Sequence, residues 1–111
     1  MSLKTNFDNQ NTFYTDSNGL EEQVRLLNFR PTWNLTINEA VAGNYYPLNS
    51  HIKISDPKSS SKYATILTDR SMGGAVINKG EFELMLHRRL LADDWRGVDE
   101  NLNETEVING K

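Results

Sequence analysis

Turn-forming residues recur along this chain at short intervals: Asn18-Gly19, Pro31, Gly43-Asn44, Pro47, Asp56-Pro57, Gly73-Gly74, Gly80 and Gly97. Segments cut this short suit strands better than long helices, and the spacing is that of an antiparallel sheet protein. His51 to Ser55 alternates, with Ile52 and Ile54 on one face and His51, Lys53 and Ser55 on the other. Tyr63 to Thr68 is rich in β-forming residues and reads as its partner, with the loop Ser59-Ser60-Ser61 closing a hairpin. Glu81 to Leu90 reads as a strand that places Phe82, Leu84 and Leu86 on one face. Its Leu, Met, Glu and Arg residues also favour helix, but the period of two decides for a strand. Val24 to Phe29 reads as a further strand, although Glu21 and Arg25 stand four apart, as an ion pair on a helix would. The fold class that follows is all-β, an antiparallel sandwich-like domain.

The chain has 111 residues, which allows a single domain. Area scaling gives roughly 6,200 Å² folded against roughly 18,000 Å² unfolded, enough burial for one modest core. The apolar fraction of 37% and mean hydropathy of -0.62 make that core a lean one. Residues 1–11 are polar and Asn-rich and read as a poorly ordered leader, and residues 99–111 as a flexible acidic tail. The domain proper is expected over 12–98.

Composition removes several functions. No apolar run approaches the roughly 18 residues that span a bilayer, and the first residues lack the apolar core of a secretory signal. Without cysteine there are no disulfides, thiolate metal sites or cysteine nucleophiles. The net charge of -3 divides into -2 over residues 1–50, +2 over 51–96 and -3 over 97–111. No basic stripe of the kind that binds nucleic acid emerges.

Few residues suggest chemistry. His51 and His87 lie far apart, without a second ligand at a metal-binding spacing, and read as surface or cross-strand histidines. Asp93-Asp94 does not suit a glycosidase dyad, because neighbours in an extended chain point to opposite sides while such carboxylates flank a bond from about 5 Å or more apart. The run Arg88-Arg89-Leu90-Leu91-Ala92-Asp93-Asp94-Trp95-Arg96-Gly97 is more suggestive. Arginine forks clamp carboxylates, and tryptophan beside acids and arginine can offer a sugar both an apolar face and polar partners. The plainer reading, and the one the chemistry alone favours, is a salt-bridged loop anchored by Trp95. Trp33, Tyr45, Tyr46 and Tyr63 suit either a core or a binding platform. Gly73-Gly74 after Asp69-Arg70-Ser71 lacks the strand-loop-helix setting of a phosphate loop. Asn34-Leu35-Thr36 and Asn103-Glu104-Thr105 are glycosylation sequons, but 13 Asn among 16 Ser or Thr yield that many by chance.

Five pieces change the picture when taken together: FYTDSNG at 13–19, RPTWNLT at 30–36, AGNYYP at 42–47, TDRSMGG at 68–74 and HRRLLADDWRG at 87–97. In order and separation they resemble the C-terminal β-region of lysosomal-type α-mannosidases, glycoside hydrolase family 38. The resemblance implies a retaining enzyme that removes terminal α-linked mannose from glycans. Its aspartate nucleophile, acid/base carboxylate and zinc ion belong to an N-terminal domain of a much longer chain, and none of those residues has a counterpart here.

By resemblance, then, this is a non-catalytic fragment whose partners are the parent's remaining domains and mannose-containing glycans. Arg96 is the residue that reaches mannose, within a loop that includes Gly97. Asp93 and Asp94 hold that loop, with Arg88 and Arg89 as their partners. Asp69-Arg70 holds a turn. Asn34 and Asn103 become candidate glycan sites, in a lysosomal, vacuolar or secreted protein. The rival reading is an independent carbohydrate-binding or protein-interaction sandwich using Trp33, Tyr45, Tyr46 or Trp95.

Overall fold

A computed structural model describes residues 1–103 except Ser17, Arg88 and Val98. Among the described residues eight strands form two antiparallel four-stranded sheets. The first sheet has the order β1 (Ser2–Lys4), β8 (Glu81–Met85), β7 (Met72–Asn78), β4 (Tyr46–Leu48). The second has the order β3 (Glu22–Leu26), β2 (Thr12–Asp16), β5 (His51–Asp56), β6 (Ser59–Leu67). One 3-10 turn, Ala42–Asn44, precedes β4. The all-β, sandwich-like expectation holds.

The core lies between the sheets and follows from the period of two. Phe13, Ile52 and Ile54 from the second sheet meet Leu48, Val76, Phe82 and Leu84 from the first, with Phe7, Tyr46, Ala64, Ile66 and Met72 packed partly buried against them. Burying each large side chain of this set contributes about 1.5–3 kcal/mol. Close approach in the first sheet requires Gly74, where a Cβ would stand 2.6 Å from Leu48 Cδ1 and 3.1 Å from the Glu83 carbonyl oxygen.

Four elements differ from expectation. The strand from Glu81 stops at Met85 rather than Leu90, and the β7–β8 ladder ends at the pair Gly73–Met85. Leu86 continues the alternation but is 57% exposed. The serines 59–61 lie in β6 rather than in a loop. Asp56 pairs with Ser59, so the turn is made by Pro57 and Lys58 alone, with the Lys58 N–H donating to Asp56 Oδ1 at 2.9 Å. The strand expected at Val24 to Phe29 runs from Glu22 to Leu26, in register with β2, and Asn28 at φ 58° turns the chain.

The fourth difference concerns residues 1–11. Ser2–Lys4 pair with Glu81–Glu83 as β1. The Thr5 N–H donates to the Gly80 carbonyl at 2.8 Å, and the Gly80 N–H donates to buried Asn9 Oδ1 at 2.9 Å. This segment, polar by composition, is tied down by partners about seventy residues away in sequence, at the β7–β8 turn.

Candidate functional site

The loop that follows β8 is folded by its own aspartates. Asp93 Oδ2 accepts the Trp95 N–H at 2.7 Å, and Asp94 Oδ1 accepts the Arg96 N–H at 3.1 Å. Both contacts are Asx turns, in which a carboxylate takes the amide two residues ahead. Asn101 closes the base, its Oδ1 accepting the Asp93 N–H at 3.0 Å and its side-chain amide reaching the Leu91 carbonyl at 3.5 Å. Trp95 takes a left-handed backbone, φ 62°, and Gly97 sits at φ 149° with open space where a Cβ would lie. The turn thrusts the Trp95 indole into solvent, 84% exposed. The Arg96 side chain is exposed and has no hydrogen-bond or ion-pair partner among the described residues.

The structure thus brings Asp93, Asp94, Trp95, Arg96 and Gly97 together, but it does not bring Arg89 onto the aspartates. Arg89 is exposed and unpaired among the described residues, and Arg88 lies outside them. The carboxylates are engaged by backbone amides instead. An open cleft is lined by Arg70, Ser71, Gly73, Met85, His87 and Leu102, among others, with Leu102 following Asn101 at the base of this loop. On its rim Arg70 grips Asp69 in a two-pronged ion pair, at 3.1 and 2.8 Å. That pair lowers the Asp69 carboxyl below its usual range through the hydrogen bonds from Arg70.

The other candidates are scattered. Asn34 and Trp33 are exposed in the stretch 31–40, and Asn103 is exposed while the rest of its sequon lies outside the described residues. Tyr45 and Tyr46 belong to the body of the sandwich. The Tyr45 hydroxyl donates to Glu83 Oε1 at 2.8 Å. The Tyr46 ring meets Phe13 edge-on at 5.7 Å and carries the guanidinium groups of Arg25 and Arg30, each 4.4 Å from its centroid.

His51 hydrogen-bonds Glu22 through Nε2 at 3.0 Å and Ser50 through Nδ1 at 2.9 Å. Glu22 also pairs with Lys53, whose hydrogen bond is the main cause that lowers the Glu22 carboxyl. Among the described residues no three His, Cys, Asp or Glu converge as a metal site would require.

Two arrangements were not foreseen. Asp16 is buried at the end of β2, where its carboxylate collects several backbone amides. The motif FYTDSNG gave no local sign of this, because the donors lie more than thirty residues on. A shallow pocket on the outer face of the second sheet is lined by Tyr14, Lys53, Ser55 and Tyr63. The alternation of β5 already placed Lys53 and Ser55 on that face, but the pairing with Tyr14 and Tyr63 needed the register.

Residues 1–96 match the model of the glycosyl hydrolases family 38 C-terminal domain. The chain belongs to that family. It is 58% identical to the lysosomal α-mannosidase of Bos taurus over 92 residues, 83% of this chain and 9% of that protein. It is 52% identical to the lysosomal α-mannosidase of Homo sapiens over 100 residues, 90% of this chain and 10% of that protein. A probable α-mannosidase of Arabidopsis thaliana is 49% identical over 110 residues, 99% of this chain and 10% of that protein. The chain thus spans about a tenth of the length of these family 38 relatives.

Proposed function

We propose that this chain is a supporting, non-catalytic β-portion of a family 38 α-mannosidase, an enzyme that hydrolyses terminal α-linked mannose with retention. The nucleophile, the acid/base carboxylate and the zinc ion are supplied by another part of the longer protein. This portion contributes one wall of the sugar cleft, through the loop Asp93-Asp94-Trp95-Arg96-Gly97. The names of the relatives favour a lysosomal or vacuolar location.

The observation that carries the reading is the division of labour in that loop. Asp93 and Asp94 are occupied with backbone amides, while the Trp95 and Arg96 side chains face outward without a hydrogen-bond or ion-pair partner among the described residues. A loop stiffened in this way offers a guanidinium and an aromatic face to a ligand at small entropic cost. Arg96 then contacts mannose through its side chain or its carbonyl, and the remaining domains of the parent close the cleft. Glycans at Asn34 and Asn103 are compatible with this reading, since both side chains are exposed.

The test is Arg96→Ala in the full-length enzyme. Loss of a charged hydrogen bond of about 1.5–3 kcal/mol lowers kcat/KM roughly 10- to 100-fold, with an unchanged melting temperature. Unchanged kinetics would exclude a contact through the Arg96 side chain. The second reading, an autonomous sugar-binding module, draws on the pocket of Tyr14, Lys53, Ser55 and Tyr63. It requires the isolated chain to bind mannosides by itself.

A further inference from the structure

Of the four outermost strands, three are short or covered. β1 and β4 have three residues each, and Pro47 sits in β4. β3 has five residues, flanked by the segment Phe29–Thr32, with which it lines a common cavity. The exception is β6, with nine residues, no proline and a single charge, Lys62. Proteins protect such an edge with charges, proline or a covering element, and among the described residues β6 has almost none of these.

The register tells which of its backbone groups are free. Thr68 N–H donates to the Ser50 carbonyl at 2.8 Å, and the ladder continues through Leu67 opposite His51, Ile66 opposite Ile52, Thr65 opposite Lys53, Ala64 opposite Ile54 and Tyr63 opposite Ser55. Hydrogen-bonded and non-bonded pairs alternate along an antiparallel ladder. Ile66 and Ala64 therefore direct their N–H and C=O groups to β5, as Thr68 does. Tyr63, Thr65 and Leu67 direct theirs away from the sheet.

The same edge borders an apolar cleft. Ile66 and Leu67 line it together with Met1, Met72, Leu84 and Leu86. Leu67 is 79% exposed, and Met1 and Leu86 are more than half exposed. We infer that the free edge of β6 is a pairing site for a β-strand supplied by the full-length α-mannosidase from outside these 111 residues. The occupant has apolar residues at alternate positions, facing the cleft over Ile66, Leu84 and Leu86. Its backbone exchanges hydrogen bonds with Tyr63, Thr65 and Leu67. This rests on the reading of the chain as part of a longer enzyme, whose relatives carry about nine tenths of their length elsewhere.

The test is hydrogen exchange on the full-length enzyme and on this chain, followed over the peptide that contains Tyr63–Thr68. In this chain alone, the amides of residues 64, 66 and 68 are protected while those of 63, 65 and 67 exchange freely. In the full-length enzyme the latter three slow by at least about a hundredfold. Thr65→Pro sharpens the result, because it removes an outward N–H and leaves the bonds to β5 intact. It leaves the melting temperature of this chain unchanged and restores fast exchange at Tyr63 and Leu67 in the full-length enzyme. Fast exchange of the three outward amides in a full-length enzyme that hydrolyses mannosides would overturn the inference alone. A full-length chain without that activity would overturn the α-mannosidase reading instead. Concentration-dependent protection in this chain would assign the edge to a second copy and also overturn the inference.

Discussion

Asp16 holds the backbone of Ser50 with both carboxylate oxygens, Oδ1 at 3.0 Å and Oδ2 at 3.1 Å from its N–H. Oδ1 also accepts the N–H groups of Asn49 at 3.1 Å and His51 at 3.2 Å. These residues form the corner between β4 and β5, where the chain passes from the first sheet to the second. Asp16 is thus the clamp on a crossover between the sheets, 1% exposed. Burial alone raises its carboxyl, but the hydrogen bonds from Ser50, His51 and Asn49 outweigh burial and hold it far below the usual range.

Removing the clamp leaves buried amides without partners. Asp16→Ala is expected to cost about 3 kcal/mol, measured by denaturant unfolding at neutral pH. A loss below about 0.5 kcal/mol would mean that water replaces the carboxylate without penalty.

The same residue sets an acid limit. A carboxyl whose folded pKa lies below its unfolded value stabilises the fold fully above the unfolded value, and that contribution is lost as pH falls toward the folded one. Stability should decline from about pH 5 downward, and Asp16→Asn should flatten the decline. Exposed acids such as Asp69 also titrate there, so the difference between wild type and Asp16→Asn is the quantity to read. Parallel pH profiles would contradict the assignment.

Tyr45 sets a limit at the opposite end. Burial, and then the hydrogen bond to Glu83, push its hydroxyl up to about 12. A folded pKa above the unfolded value gives stability that is complete below about pH 10 and is lost as pH rises toward 12. Tyr45→Phe should cost about 1 kcal/mol at neutral pH through the lost hydrogen bond. It should also weaken the fall in stability between pH 10 and 12, as followed by tyrosinate absorbance and circular dichroism. An unchanged alkaline fall would show that Tyr45 is not its source.

Gly80 tests whether the first residues belong to the fold. Its φ of 66° is left-handed, and an added Cβ would lie 2.5 Å from the Phe7 carbonyl oxygen and 3.0 Å from that of Thr5. Left-handed strain of about 1–2 kcal/mol adds to that collision, so Gly80→Ala should destabilise by more than about 2 kcal/mol. Deleting residues 1–8 should lower the melting temperature as well. A truncated chain as stable as the whole would return this segment to the status of a leader.

What the sequence revealed, and what it hid, separates along local and distant causes. Ile52 and Ile54 were legible because β5 packs one face on the core and turns the other outward, which is what a period of two records. Phe82 and Leu84 were legible for the same reason. Leu86 repeats that pattern beyond the last pair of the β7–β8 ladder, so the alternation alone did not mark where β8 ends. Ser59 to Ser61 have loop composition, yet the Pro57-Lys58 turn sets them opposite β5. Asp8 and Asn9 show no apolar period, and their anchors at Lys79 and Gly80 are invisible from nearby sequence.

The loop from Asp93 to Gly97 was legible as a unit, but not its internal bonding. Arginine forks were the expected clamps for its carboxylates; among the described residues these carboxylates accept backbone amides two residues ahead, while Arg88 lies outside those residues. An Asx turn needs only one short carboxylate in a tight bend, so Asp93 and Asp94 satisfy themselves before any distant arginine is required.

The central claim is that this chain supports a mannose site without carrying the chemistry. Its most direct test is calorimetric titration of the purified 111-residue chain with mannose and a mannobiose, with and without zinc, beside an assay with p-nitrophenyl α-mannoside. The account expects no heat of binding and no turnover. Mannoside binding would make the chain an autonomous sugar-binding module, and zinc-dependent hydrolysis would contradict the account outright.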